Sequence, residues 1–316
     1  MTEKIVNNGK NVVIKDGLLH ILTTKPYTGV IVYNSVSGEK RVETSYKDGK
    51  EHGKEIWYYD TGEIISERNY KYNKKHGKFI DRYRNGNKKY ELFFVDGLQE
   101  GKEFWWYEDG TCITYRVGGK KEVEINYKNG KKHGKEIWYY RKMNKEIEVD
   151  YKDGLKHGKY IVCDEFGSVL RLIDYKNGKK DGKELGWYWN GNKEFDIDYK
   201  NGENHGQYKQ WYRDGNKHIL SNYLDGERHG ECFCWYENGI ISSKENYKYG
   251  KLDGLYLSYY RNGNPWLEIN YKDNLQHGKT MVYYENGNKE YEDYYEFDVE
   301  KKRRKKWFSF GLRKFW

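Results

Sequence analysis

An aromatic residue recurs every 24 positions along this chain, at Tyr46, Tyr70, Phe94, Tyr127, Tyr151, Tyr175, Tyr199, Tyr223, Tyr247, Tyr271 and Tyr295, and the step changes only once, to 33 after Phe94. The segments YKDGKEHGKEIWYYDTG from Tyr46, YKNGKKHGKEIWYYRKM from Tyr127 and YKDNLQHGKTMVYYENG from Tyr271 are copies of one unit. Running the frame back from Tyr46 places Gly29 and Gly38 on repeat glycines, so eleven copies fill residues 22–294. A fixed period of this length marks an array in which each repeat buries its apolar surface only against its neighbours. It leaves residues 1–21 as an N-terminal capping segment and 295–316 as a basic-aromatic tail. No stretch is large enough for a catalytic domain.

The copies act as their own alignment. Seven residues after the aromatic, every copy has glycine: Gly29, Gly53, Gly77, Gly101, Gly134, Gly158, Gly182, Gly206, Gly230, Gly254 and Gly278. Three residues after it, copies two to eleven have glycine in eight cases and asparagine in two, Asn73 and Asn274, the substitution expected where φ must be positive. Sixteen residues after it lies a second turn glycine, as in Asn85-Gly86, Asn190-Gly191 and Asn238-Gly239, a strong hairpin signal. Met143 departs from that rule, and its turn is expected to be distorted.

Between the turns the pattern alternates. Glu146-Ile147-Glu148-Val149-Asp150-Tyr151 and Glu194-Phe195-Asp196-Ile197-Asp198-Tyr199 put apolar groups on one face and carboxylates on the other. In the preceding strand Ile56 and Tyr58, Phe104 and Trp106, and Phe233 and Trp235 share a face. The chain has no alanine but 35 Gly, 34 Tyr and 11 Trp, which argues against helices and for strands. The expected fold is all-β, an elongated array of stacked antiparallel β-hairpins with one aromatic face and one face of Lys and Glu/Asp. The nine additional residues of the 94–126 repeat, around Arg116 to Lys120, read as an added strand and turn.

The unit Y-K-[DN]-G-K-x-H-G-K-x-x-x-Y-Y-x-N-G resembles the MORN repeat, and more specifically the variant found in bacterial antitoxin-like repeat proteins and in repeat proteins of large DNA viruses. The resemblance covers about 273 of the 316 residues. It implies a β-hairpin array working in protein interaction, dimerisation or organisation at membranes. It also leaves open an antitoxin-like inhibitor of an unidentified partner.

Candidate chemistry is sparse. Seven of the nine histidines (His52, His76, His133, His157, His205, His229 and His277) precede the universal glycine, where Glu100, Asp181 and Asp253 stand in other copies. Interchange with carboxylates fits a polar loop group making local hydrogen bonds better than a metal site or a pH sensor. The pairs Asp196/Asp198 and Glu146/Glu148 recur with the strand period beside Lys135, Lys152, Lys159 and Lys200, as cross-strand ion pairs do. Cys112, Cys163, Cys232 and Cys234 form no CxxC, and the last two lack further ligands at zinc spacing. No GxxxxGK[ST] motif is present. The sequence thus predicts no enzyme, cofactor, metal or small-molecule substrate.

The C-terminus differs in kind. Lys301, Lys302, Arg303, Arg304, Lys305 and Lys306 precede an aromatic segment, read as matching no repeat, in which a helix would gather Trp307, Phe308, Leu312, Phe315 and Trp316 on one side. Residues 301–316 hold eight basic and no acidic groups, so most of the chain's formal charge of +9 lies there and the rest is nearly neutral. A basic run beside an amphipathic aromatic segment points to anionic membrane, with capping of the array or a nuclear-import or nucleic-acid patch as competing readings. The expected partners are a protein or a second copy through the aromatic sheet face, and an anionic membrane surface through the tail, with nucleic acid disfavoured. With neither a signal peptide nor an apolar run long enough to span a bilayer, an intracellular location, cytoplasmic or at the cytoplasmic face of a membrane, is expected.

Overall fold

The computed structural model describes residues 4–7, 10–15, 18–21, 26–108, 121–301 and 305–307. The insertion around Arg116 to Lys120 lies outside them, as do Lys302, Arg303, Arg304 and residues 308–316. All regular structure among the described residues is β. The chain forms two compact bodies, Met1–Lys156 with Cys163–Gly167, and His157–Val162 with Ser168–Trp316.

In the first body, Lys4–Asn7, Lys10–Lys15 and Leu18–Ile21 make a small antiparallel sheet. The repeats then pair in chain order. Gly29–Asn34 pairs with Lys40–Lys47, that strand with Lys50–Tyr58, and the ladder continues to Lys145–Lys152. In the second body the same ladder runs from Val169–Lys176 to Lys289–Glu296, which pairs with Val299–Glu300 and Lys305–Lys306.

Two turn types alternate, and the glycine pattern explains both. At the turn after the leading aromatic, both central residues have positive φ, for example Asn201 at 53° and Gly202 at 97°. This is the type I′ arrangement, whose twist matches that of the flanking strands. The Asn-Gly signal sixteen residues after the aromatic belongs to a wider turn. Gly86 N–H donates to the Tyr83 carbonyl and Tyr83 N–H to the Asn87 carbonyl, and the register shifts beside the turn. A type I turn closed by a left-handed residue and a bulge has this pattern. Met143 corrects the expectation of distortion: its φ is 72°, and its N–H donates to the Tyr140 carbonyl at 2.8 Å, as Gly86 does to Tyr83.

The universal glycine has two causes. At Gly206 φ is 108°, and a Cβ there would press on Asp198. Asp198 itself is occupied: its Oδ2 accepts the Gln207 N–H at 2.8 Å. Asn69 and Asn126 fill the same place by donating to the carbonyls of Lys78 and Lys135, both at 2.6 Å. In these copies, and with Asp174 and Asn270, the side chain one residue before the leading aromatic thus clips the backbone just after the glycine.

The expected division into one aromatic and one charged face needs correction. Ile56 sits opposite Glu43 and Glu67 in register, so Ile56 and Tyr58 belong to the carboxylate face. The Tyr58 hydroxyl donates to Glu43 Oε2 at 3.2 Å, and Lys40 Nζ lies 5.2 Å from the Tyr58 ring centre. Rings therefore line both faces. They tolerate the charged face because an ammonium over a ring is attracted to its π-electrons. The other face carries the leading aromatics, Trp57, Trp105 and Trp138, with buried Ile125, Ile173 and Ile197.

Candidate functional site

The histidine row resolves into turn supports. Nδ1 of His157 accepts the backbone N–H of Asn177, twenty residues on, at 3.4 Å. His76 accepts from Asp96 at 3.3 Å and His205 from Asp225 at 3.4 Å. Glu100 and Asp181 take the same bond from Asn129 and Asn201, at 2.7 and 3.1 Å. Where the turn residue is aromatic, imidazole and ring pack together instead: His52 with Tyr72 at 4.6 Å, His229 with Tyr249 at 4.8 Å and His277 with Phe297 at 4.5 Å between centroids. In these copies the position ties the I′ turn to the preceding repeat, as the interchange with carboxylates had implied, while Asp253 pairs instead with Lys272 at 3.2 Å.

Asp196, Asp198 and Glu148 are in ion pairs, but Glu148 shares its lysine with Asp150 and not with Glu146. Lys183 Nζ lies 2.9 Å from Asp196 and 2.7 Å from Asp198, and Lys135 bridges Glu148 and Asp150. Burial pushes the Asp196 carboxyl up, but bonds from Lys183 and Lys193 more than offset it and hold it below the usual range. Part-exposed pairs of this kind contribute little stability each.

Sequence reasoning missed a row of charges on the ring-bearing face. Nine residues after the leading aromatic most copies carry either a ring or a glutamate, with Cys232 and Thr280 the exceptions from the second copy on. Phe79 packs edge-to-face against Phe94 at 4.8 Å, and Tyr208 packs tilted against Tyr223 at 5.8 Å, between centroids. At the same position Glu103, Glu136 and Glu184 are buried, at 7%, 5% and 1% exposure. Glu184 accepts from Lys180 and Arg171, and Glu136 accepts from Lys132 at 2.6 Å. Burial raises both carboxyls, yet these cations bring them below the normal value. The signal was present as Lys-x-x-x-Glu, with the lysine five residues after the aromatic. Its ammonium also lies over the next leading ring, 5.1 Å from Tyr151 for Lys132 and 4.6 Å from Tyr199 for Lys180.

Glu103 is different: Gln99 stands where the Glu136 and Glu184 copies have lysine, and Glu55, with Glu51 in that place, instead has Arg68 at 3.8 Å. The Glu103 carboxylate accepts from Gln99 Nε2 at 2.6 Å and from Trp105 Nε1. One repeat on, Trp138 Nε1 donates to Glu136 Oε1 at 2.9 Å. Trp105 and Trp138 stand on either side of Val123 in register. Between them lies a cavity of about 300 Å³ lined by Glu103, Trp105, Glu122, Val123, Ile125 and Trp138.

Cys232 and Cys234 share this face in the second body, Cys232 with no exposed surface and Cys234 part-buried. Their mutual hydrogen bond pushes the Cys232 thiol up and the Cys234 thiol down. Among the described residues no group of three or more His, Cys, Asp or Glu side chains is placed to hold a metal ion.

Of the basic end, the structure describes Lys301, Lys305, Lys306 and Trp307; Lys302, Arg303, Arg304, Phe308, Leu312, Phe315 and Trp316 lie outside the described residues. Lys305 and Lys306 pair with Glu292 and Tyr291, continuing the ladder beyond residue 294. Trp307 was read as matching no repeat, yet it takes the place of Trp106 and Trp235. The Tyr284 hydroxyl donates to its carbonyl at 3.3 Å, as Tyr83 does to Trp106 at 2.9 Å and Tyr212 to Trp235 at 2.7 Å. Lys289 Nζ lies 5.8 Å from the Trp307 ring, matching Lys217 over Trp235 at 5.6 Å. The missing glycine at Lys302 hid this register.

Residues 51–72, 228–249, 252–273 and 276–296 match the MORN repeat variant. No curated protein matches the chain. Among solved structures, the chain is similar to the Tc holotoxin pore of Photorhabdus luminescens at 9% identity, with 94% of this chain and 17% of that one covered and a TM-score of 0.19. It is similar to the TcdB2-TccC3-Cdc42 crystal structure at 9% identity, with 93% and 22% covered and a TM-score of 0.17. The chain thus spans about a fifth of the length of these proteins. Scores at that level support no functional comparison.

Proposed function

Since this chain carries repeats of the MORN variant type, we propose that it is a non-enzymatic scaffold which binds a protein partner or a second copy of itself through the ring-bearing face of its sheet. The observation that supports this most is the tryptophan row of the first body. Trp57 and Trp138 remain 39% exposed on the face whose aliphatic neighbours Val123 and Ile125 are buried. Indole is among the side chains most enriched where interfaces concentrate their binding energy. Each indole is also presented rigidly, on strands paired on both sides. Size-exclusion chromatography with light scattering tests self-association of the 38.1 kDa chain. A mass above the monomer that falls on Trp57→Ser and Trp138→Ser supports the reading. A monomer that neither binds hydrophobic dye nor retains any host protein through this face overturns it.

A second reading follows from the charge distribution. The eight basic and no acidic groups of residues 301–316 favour contact with an anionic membrane surface. Lys301, Lys305 and Lys306 are exposed at the end of the ladder. Flotation with anionic liposomes, comparing the full chain with one in which Lys301, Lys302, Arg303 and Arg304 are glutamine, tests it. Equal flotation of the two overturns the role of the basic run.

A further inference from the structure

We infer that the slot between Trp105 and Trp138 binds a single cationic side chain, lysine or arginine, presented by a basic peptide segment of a partner. The inference rests on the array being a binding surface, and adds where it binds and what chemistry it selects.

Comparison between repeats carries the argument. Glu136 and Glu184 occupy the same repeat position as Glu103, and each is neutralised by a lysine four residues earlier, Lys132 and Lys180. At Glu103 that residue is Gln99, and no described cation pairs with the carboxylate. Its bonds from Gln99 and Trp105 satisfy its oxygens but not its charge. A carboxylate 7% exposed whose described donors are all neutral leaves a local negative potential, which a cation arriving in the slot would meet.

The walls suit the same ligand. Trp105 and Trp138 flank Val123, which is 4% exposed and forms the floor, and Glu122 adds a second carboxylate to the lining. Their ring nitrogens are held by Glu103 and Glu136, so the indoles are pinned before any ligand arrives. A cation within reach of both indoles gains from their π-systems, most strongly with water excluded. The cavity of about 300 Å³ has room for one long side chain rather than a folded element. The protein elsewhere places its own ammonium groups over rings, as Lys132 does on Tyr151 and Lys180 on Tyr199. Here the cation-binding half of that arrangement is present without the lysine. General charge attraction would not produce such binding, because residues 1–300 are nearly neutral overall.

The test follows the indole N–H resonances of Trp105 and Trp138 in the full chain during titration with three short glycine-serine peptides. These carry a central lysine, arginine or norleucine. The lysine or arginine peptide is expected to shift those two resonances saturably, and the norleucine peptide is not. Glu103→Gln, isosteric and still an acceptor for Trp105, should weaken binding about tenfold. Glu184→Gln, which removes a paired charge at the same repeat position but outside the slot lining, should leave affinity unchanged. Equal binding of the norleucine peptide, an unchanged affinity in Glu103→Gln, or no shift of either indole would each overturn the assignment. Light scattering of the same samples separates the readings: self-association that persists without peptide binding overturns the slot and leaves the scaffold standing.

Discussion

A Cβ on Gly206 would lie 2.9 Å from Oδ2 and 3.0 Å from Cβ of Asp198, the residue whose carboxylate clips the Gln207 amide. Gly182 has the same relation to Asp174, at 2.8 Å. Gly101 occupies the same repeat position with φ at 71° and nothing within 4 Å. Alanine should therefore act differently at the two ends of this range. Gly101→Ala meets only the left-handed backbone penalty, about 1 kcal/mol. Gly206→Ala adds a steric conflict and breaks the clip, for a total of about 3 kcal/mol. Thermal unfolding of both variants measures this. Equal losses would show that backbone conformation alone keeps the position glycine.

Met143 supplies the complementary case. It holds φ at 72° in a turn where the neighbouring copies use glycine. A non-glycine residue in that region is destabilised by about 1 kcal/mol, so Met143→Gly should raise the unfolding midpoint of the array. Its side chain is 48% exposed, so little packing is lost with it. A lowered midpoint would mean that the methionine makes a contact worth more than the strain.

The repeat period made most of the fold legible, because eleven copies report each backbone requirement many times over. Asn73 and Asn274 alone revealed the left-handed position, at 63° and 71°. The allocation of residues to faces was harder. Alternation within a strand shows which residues share a face, but not which face of the next strand they meet across a turn with a bulge. That is why Ile56 was not placed beside Glu43. The buried Glu184 was illegible for another reason: its two cations come from different strands, Lys180 from its own and Arg171 from the preceding one. Trp307 was lost because one residue, Lys302, breaks the glycine rule by which the register was read.

The histidine position can be tested by exchanging its chemistry. Asp181 accepts the Asn201 amide just as His157 accepts the Asn177 amide. His157→Asp should then keep the bond and cost less than about 0.5 kcal/mol, while His157→Ala loses the acceptor and costs about 1 kcal/mol. Thermal unfolding at neutral pH distinguishes them. If aspartate is as damaging as alanine, the imidazole ring is needed for packing.

The cysteines should separate by reactivity. Cys163 and Cys232 are buried, and Cys163 is pushed up mainly by that burial. Cys234 is part-buried and lowered by the hydrogen bond from Cys232. Since the thiolate is the nucleophile, iodoacetamide near neutral pH should alkylate Cys234 first of these three. Its rate should begin to rise at a lower pH than that of an ordinary thiol. Peptide mass spectrometry over a time course reads the order. Faster labelling of Cys232 would mean that the sheet opens at that repeat.

Alkali should dismantle the array through its tyrosines. Burial is the main cause that pushes Tyr90, Tyr199, Tyr247 and Tyr283 up to about 12. A raised acid is neutral in the folded chain over a pH range where it is already ionised in the unfolded chain. Its contribution is therefore complete below the unfolded value, near 10, and shrinks as pH rises from there to about 12. Several rings raised together make that loss steep. Phenolate absorbance should lag behind that of free tyrosine and then rise together with the loss of β-sheet circular dichroism. Full ionisation near the ordinary tyrosine value with the sheet intact would show that the leading rings are solvated, and would remove the buried ring-and-cation ladder from the account of what joins one repeat to the next.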